Sequence, residues 1–362
     1  MKTYRTALIG TGGISGSHLQ AIKQAGDRVD LVAAVDLDAG LVQEVCRENK
    51  IPNWYTDSSK MLAEMKPDLV HVLTPPGSHF PLILQCLEAG AWVFCEKPLC
   101  ASLAQFDRIT AMEDATRCYV NTVFQWRFGS AGKHVKRLIE EEAFGRPLLG
   151  HCLTLWYRDQ AYFEVPWRGK WATELGGPTM GHGIHLTDLF LWLMGDWKEV
   201  QAVAKTLDRS MEIEDIAMAL VRFENGALGN ITNSVLSPRE ETRLRLDFQR
   251  ATVECTALYY YDNAHWQFSI PGGSPHEKAL VEWQTIETDI PGLHAAQLNE
   301  ILDSMDAGER PLVSGPEARR ILEFNASLYK SAFTGQPVQR GSITPDDPFY
   351  HAMNGKPQEE NL

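Results

Sequence analysis

The chain has 362 residues, 44% hydrophobic and 22% charged, which is ordinary globular material and long enough to divide into two cores. Its 47 Asp and Glu outnumber 34 Lys and Arg, and the net charge of −13, with no Lys/Arg-rich run, argues against nucleic acid or a membrane surface as partner. Seven cysteines form no CxxC pair and glycines cut short the first apolar run, so the expectation is a reduced, cytoplasmic protein without signal peptide or membrane span.

Between Tyr4 and about Phe124, short apolar runs alternate with helical stretches. The runs are Arg5 to Ile9, Val29 to Val35, Asp68 to Leu73, Ala91 to Cys95 and Cys118 to Phe124. Helices are predicted at Phe80 to Ala89 and at Leu103 to Ala115, the latter opened by Ser102. This rhythm predicts a doubly wound parallel sheet over residues 1–124. After a helix near Gly132 to Glu142, longer alternating runs follow: His151 to Tyr157, Ile216 to Phe223, Ala227 to Val235 and Thr242 to Phe248. Asn225-Gly226 between two of them is a hairpin signal, so residues 125–362 read as a second α/β domain with a mainly antiparallel sheet. Helices at His294 to Met305 and Pro316 to Ala332 close it, and the tail from Gly341 reads as loop.

The first strand runs into GTGGISGSH, with Gly10, Gly12 and Ser15 at the GxGxxG/A positions and Gly13 and Ile14 inside the turn. Such a turn brings backbone amides and a helix N-terminus against a pyrophosphate. The second strand ends at Asp36, where a carboxylate accepts from ribose hydroxyls; with Asp38 nearby and no arginine, a 2′-phosphate is repelled, so NAD is preferred over NADP. The competing reading makes Asp36 a helix cap. Thr74, Pro75, Pro76 and His79 of TPPGSH, and Glu96 and Lys97 of EKP, follow later strands at their carboxyl ends, where ligands bind in open sheets. Lys97 beside a cationic nicotinamide suits acid/base work; otherwise it forms a surface ion pair with Glu96.

In GGPTMGHGIHLTD, His182, His185 and Asp188 admit three readings: a metal clamp, structural histidines, or proton transfer by His185 with Asp188 orienting its ring. The trio steps around a helix instead of stacking, and no HExxH or Cys cluster accompanies it, so no metal is expected. Upstream, WYRDQAYFEVPWRGKW sets Trp156, Arg158, Trp167 and Arg168 in a segment suited to a polyhydroxylated ring, or equally to core and interface anchoring.

GTGGISGSH, TPPGSH, CEKPL (Cys95 to Leu99) and the glycine run before His185 occur in the order and spacing of the Gfo/Idh/MocA oxidoreductases, which this chain resembles. The resemblance implies a Rossmann domain followed by an α/β domain whose large open sheet mediates dimers or tetramers. It places Lys97 near the nicotinamide and the substrate hydroxyl, and Gln125 and Arg127 near the cleft. Where the family reads GGGxLxDxGxH, its histidine falls on His185, but its aspartate falls on Gly181; His182 stands beside the gap. The expected activity is hydride transfer between NAD and a secondary alcohol of a sugar, cyclitol or related polyol. Its rivals are an NAD-dependent glycosidase using transient oxidation and a non-catalytic sugar sensor.

Overall fold

A computed structural model describes residues 2–356. The chain forms two compact units: residues up to Val123 with His294–Arg320, and Phe124–Leu293 with the chain from Ile321 onward. No helix among the described residues is long and apolar enough to cross a membrane.

In the first unit, β1 (Tyr4–Ile9), β2 (Val29–Val35), β3 (Asn53–Tyr55), β4 (Leu69–Val72), β5 (Trp92–Cys95) and β6 (Val120–Thr122) form one sheet, ordered β3-β2-β1-β4-β5-β6. Every pair is parallel. Strands covered on both faces read as near-continuous apolar runs, which is why β1 and β4 were visible in the sequence. The order reverses at β1, which pairs with β2 on one side and β4 on the other, and open α/β sheets bind ligands at such a reversal. The connecting helices are α1 (Ser15–Ala25), α2 (Ala39–Asn49), α3 (Ser58–Met65), α4 (His79–Glu88) and α5 (Leu103–Thr116). Asp38, Asp57 and Ser102 cap α2, α3 and α5 by accepting from backbone amides.

The first unit also claims a helix from far along the chain, His294–Ala307. Leu298, Ile301 and Leu302, at helical spacing, join Leu8, Leu69, Phe94 and Val123 in one buried cluster, and each contributes roughly 1.5–3 kcal/mol of apolar burial. Tyr4 donates from its hydroxyl to Asp306 at 2.8 Å at the helix's other end. This return corrects the assignment of everything after residue 124 to a second domain: an amphipathic helix advertises an apolar face, not which sheet it covers.

In the second unit, α6 (Ser130–Glu140) precedes β7 (Pro147–Tyr157); α7 (Gln160–Phe163), α8 (Pro178–Gly181) and α9 (Ile184–Met194) follow. Then come β8 (Trp197–Lys205), β9 (Ile216–Phe223), β10 (Leu228–Ser234), β11 (Leu236–Phe248), β12 (Thr252–Ala257), β13 (Trp266–Ser269) and β14 (Val338–Gln339). They form an eight-stranded sheet ordered β13-β12-β11-β7-β10-β9-β8-β14, antiparallel except for β10 against β7. Asn225-Gly226 turns β9 into β10, with Gly226 at φ +86° and the Asn225 side chain accepting from Ala227 N. Strand β11 starts six residues before the sequence run; Ser237, Pro238, Arg239, Glu240 and Glu241 show no apolar alternation, and the register slips between Leu236 and Glu241. In the tail, Pro348–His351 form a helical turn where a loop was expected, and residues 357–362 lie outside the described ones.

Candidate functional site

The first unit supplies an open glycine turn between β1 and α1. Gly10 has φ +100°, and a Cβ there would lie 2.8 Å from the backbone carbon of Leu73, so only glycine fits between β1 and β4. Around Gly12 and Gly13 nothing lies within 4 Å of such an atom, which leaves the face of the turn open, with Ile14 partly exposed at its tip. No side chain caps α1; the amides of Ser15 and Ser17 donate to Gly12 O and Ile14 O inside the turn, so what it offers an anion is the open approach over Gly12 and Gly13 at the positive end of the helix dipole, the arrangement a dinucleotide's pyrophosphate requires. Ser15 is buried where the helix packs on the sheet.

Asp36 does not cap α2; Asp38 does. The Asp36 carboxylate instead accepts from Thr11 N at 2.8 Å and Thr11 Oγ1 at 2.9 Å, so it stands beside the glycine turn, followed by an exposed Leu37. His79 ties together the two loops that follow β4 and β5: its ring nitrogens lie 2.8 Å from the carbonyl oxygens of Thr74 and Pro98. Burial lowers the His79 pKa, opposed by these two carbonyls. Pro76 opens the short 3₁₀ turn after Pro75, and Ser78 Oγ donates to Thr74 Oγ1 at 2.8 Å.

Glu96 is no surface partner for Lys97. It is buried, and its Oε1 lies 3.2 Å from Nε2 of both His18 and His294, while Lys97, half-buried, presents its backbone amide to Oε2 at 3.2 Å. Desolvation by itself raises the Glu96 pKa, but the two imidazole hydrogen bonds overcome it and hold the carboxyl well below its ordinary value.

In the second unit, Glu214 builds the turn ahead of the histidines. Its buried carboxylate accepts from Gly177 N at 2.9 Å, Thr179 N at 3.2 Å and Tyr329 Oη at 2.9 Å, and a Cβ on Gly177 would strike the Glu214 carbonyl oxygen. His182 follows α8 and precedes α9, so it lies outside the helix that carries His185 and Asp188. Its Nε2 is 3.2 Å from Tyr162 Oη, and Trp156 packs edge-on against its ring. His185, half-buried in the first turn of α9, has Phe124 edge-on at 6.4 Å. Three residues on, Asp188 takes a two-pronged bond from Arg127, Nε to Oδ2 at 2.6 Å and Nη2 to Oδ1 at 2.5 Å, with both side chains 1% exposed. Asp188, expected to orient the His185 ring, and Arg127, expected near the cleft, are thus first of all each other's partners.

The aromatic segment is an alternating stack. Arg158 lies over Trp156 and Tyr162, and Arg168 over Tyr162 at 3.9 Å and Trp167 at 4.2 Å. Each arginine also has an acid: Arg158 bonds Glu240 at 2.9 Å and Arg168 bonds Glu174 at 3.0 Å. Glu174 is buried, accepts from Gly169 N as well, and its Oε1 lies 3.9 Å from where a Cβ on Gly181 would stand. On the sheet beneath, Thr154 of β7 and Asn233 of β10 are register partners, both buried, and neither side chain has a hydrogen-bond partner among the described residues. Gln125 Oε1 is likewise buried without one. Such orphaned polar atoms are the kind a hydroxylated ligand satisfies.

Residues 4–124 match the family described as "Oxidoreductase family, NAD-binding Rossmann fold", and residues 133–256 match the "GFO/IDH/MocA C-terminal domain". The chain belongs to the Gfo/Idh/MocA oxidoreductase family. This Gfo/Idh/MocA protein is 24% identical over 365 residues to D-apiose dehydrogenase of Paraburkholderia graminis, covering 96% of this chain and 92% of that one. It is 24% identical over 341 residues to scyllo-inositol 2-dehydrogenase (NAD(+)) of Bacillus subtilis, covering 92% and 96%. Its fold is similar to that of the WlbA dehydrogenase from Bordetella pertussis, solved with NADH and UDP-GlcNAcA: TM-score 0.83, 26% identity, 94% of this chain and 98% of that chain. Within the Gfo/Idh/MocA frame, the carboxylate nearest the empty position at Gly181 is that of Glu174, seven residues upstream, which no local spacing rule points to.

Proposed function

We propose that this protein is an NAD-dependent dehydrogenase of a secondary alcohol on a sugar, cyclitol or related polyol. The observation that carries the reading is the open glycine turn beside a carboxylate at the end of β2: Gly10, Gly12, Gly13 and Ile14 would hold the pyrophosphate, and Asp36 the adenine-side ribose. With Asp38 committed to its helix and no arginine from Leu37 to Glu44, NAD is favoured over NADP. NAD, when bound, supplies the acceptor for the hydride leaving the carbinol carbon.

The chain's own residues have the remaining work. Lys97 and His185 take the hydroxyl proton as the carbonyl forms and return it in reduction. Glu174 provides the negative charge missing at position 181, with His182 as a hydrogen-bonding group beside it. Trp156, Trp167 and Tyr162 present faces to the ring's C–H bonds, while Arg158, Arg168, Gln125, Thr154 and Asn233 offer groups to its hydroxyls. Copies of the chain associate through the open face of the eight-stranded sheet.

A panel of myo-inositol, scyllo-inositol, D-apiose and common hexoses, each with NAD and NADP, tests the reading at the NADH absorbance band. NADH accumulation with NAD is the expected result. Silence across the panel with NAD bound supports a sensor, and release of nitrophenol from nitrophenyl glycosides, assayed alongside, without NADH accumulation supports the glycosidase. H185N is expected to bind NAD within about twofold of wild type and lose about 10²- to 10⁴-fold in kcat, the range for a general acid/base; intact turnover removes His185 from the chemistry.

A further inference from the structure

Four buried residues of the first unit meet in a group that neither the glycine turn nor the sequence motifs explain: His18 on α1, His71 on β4, Glu96 after β5, and His294, which opens the returning helix. His18 Nδ1 lies 2.9 Å from His71 Nδ1, and Glu96 Oε1 lies 3.2 Å from Nε2 of both His18 and His294. A carboxylate only accepts, so both Nε2 atoms carry protons. Neutral His18 then has a bare Nδ1, which accepts from His71 Nδ1–H, and His71 Nε2 is left as a lone pair with no partner among the described residues. The chain of donation runs one way, from His71 to His18 to Glu96, and His294, its ring edge-on to that of His18 at 4.7 Å, donates to the same oxygen. Burial takes His18 down to about 4 and His71 well below its ordinary value, which keeps these two rings neutral.

Glu96 Oε2, the other oxygen, receives the backbone N–H of Lys97. One carboxylate is therefore pinned by two side chains and in turn pins the peptide from which Lys97 projects. His294 is placed by its own helix: one turn on, Gln297 Nε2 donates to Asn121 Oδ1 at 2.5 Å and to Thr122 O at 2.6 Å, locking the helix start onto β6. We propose that His294 and His18 are positioning residues for Lys97, acting through the Glu96 carboxylate to fix the backbone of the Glu96-Lys97-Pro98 loop. The proposal rests on the role given to Lys97 above.

His294→Leu removes one of the two donors, whereas H294Q keeps an N–H near the place of Nε2. His294→Asn, too short to reach, keeps the position polar and stands in if H294L does not fold. Two readouts are taken on NAD-bound protein: the rate of Lys97 acetylation by acetic anhydride, followed by peptide mass spectrometry, and kcat and KM on the best substrate of the panel. H294L and H294N are expected to change the acetylation rate at least threefold and to lower kcat about 10- to 100-fold with KM and NAD affinity little altered, since a small misplacement of a reacting group has that cost. H294Q is expected to restore both. Unchanged labelling and kcat in H294L or H294N overturns the proposal, as does an equal loss in H294Q. Stoichiometric zinc uptake by the wild type also overturns it, because His18, Glu96 and His294 offer ligand atoms within 4.8 Å of one another and a metal would need both Nε2 atoms unprotonated. K97M run alongside separates the two levels. If K97M turns over normally, the role of Lys97 fails; if K97M is inactive while H294L is normal, only the positioning role fails.

Discussion

Asp36 shows how much a single carboxylate carries. One oxygen is already bonded to the amide and hydroxyl of Thr11, and the other accepts from Asp38 N at 3.1 Å, so the group is oriented before any cofactor arrives. Asp36→Ala loses charged hydrogen bonds worth about 1.5–3 kcal/mol, and the expected outcome is a 10- to 100-fold rise in KM for NAD. Because the contacts proposed for Asp36 lie at the adenine end, kcat is expected to change little, and NADP is expected to gain on NAD once the proposed repulsion of its 2′-phosphate is removed. Steady-state kinetics with both cofactors checks this. An unchanged KM for NAD, or a loss confined to kcat, places Asp36 outside the cofactor site.

At the scale of elements, the Arg127–Asp188 pair joins the 3₁₀ turn Gln125–Phe128 to helix α9, the segment that carries His185. Breaking a buried pair leaves an uncompensated charge and costs about 3–5 kcal/mol, whereas replacing both partners by apolar residues of similar size is often neutral. R127M is therefore expected to lower the denaturant midpoint steeply, and R127M/D188L to recover most of it; equal losses in the two variants make the pair incidental. This pair also marks where the sequence stops being readable. Five of the six strands of the first sheet were legible because strands covered on both faces repeat apolar residues locally, whereas β3, three residues long with none fully buried, left no such run; the β9–β10 hairpin was legible because Asn225-Gly226 states its turn within two residues. Glu214 and His294 were not legible: each acts on a partner that the chain reaches only after folding, 35 residues away for Glu214 and Thr179 and 198 for His294 and Glu96. Glu174 is close in sequence to its partners Arg168 and Gly169, but inside an irregular segment no helix or strand period ties it to them. Arg127 and Asp188 were found as residue types and given roles at the cleft and at the His185 ring, because nothing in a sequence tells a charge aimed at a ligand or an imidazole from one aimed at another charge.

For the whole molecule, the eight-stranded sheet poses a question of solvent. One face packs against α9, through Gly150, Cys152 and Gly229. On the other face, Val203, Met218 and Leu220 are 59%, 56% and 64% exposed, with Val203 and Met218 register partners, and Leu228 pairs with Leu149 beside them. A chain with 47 acidic residues has ample means to make that face polar, yet these aliphatic side chains stand exposed on it between polar ones such as Gln201, Asn230 and His151, and apolar groups gathered on a flat sheet mark association surfaces. Flanking ion pairs, Arg243 with Glu254 and Arg245 with Asp247, provide a polar border. The proposed self-association through this face predicts that M218D/L220D, which places two new charges per copy in a self-facing interface, lowers the mass measured by light scattering to that of one chain. The site residues lie on other elements, so the variant's NAD affinity is expected to stay near wild type. A wild-type protein that is already monomeric at micromolar concentration, or a double variant that keeps its oligomeric mass, removes the sheet face from the assembly.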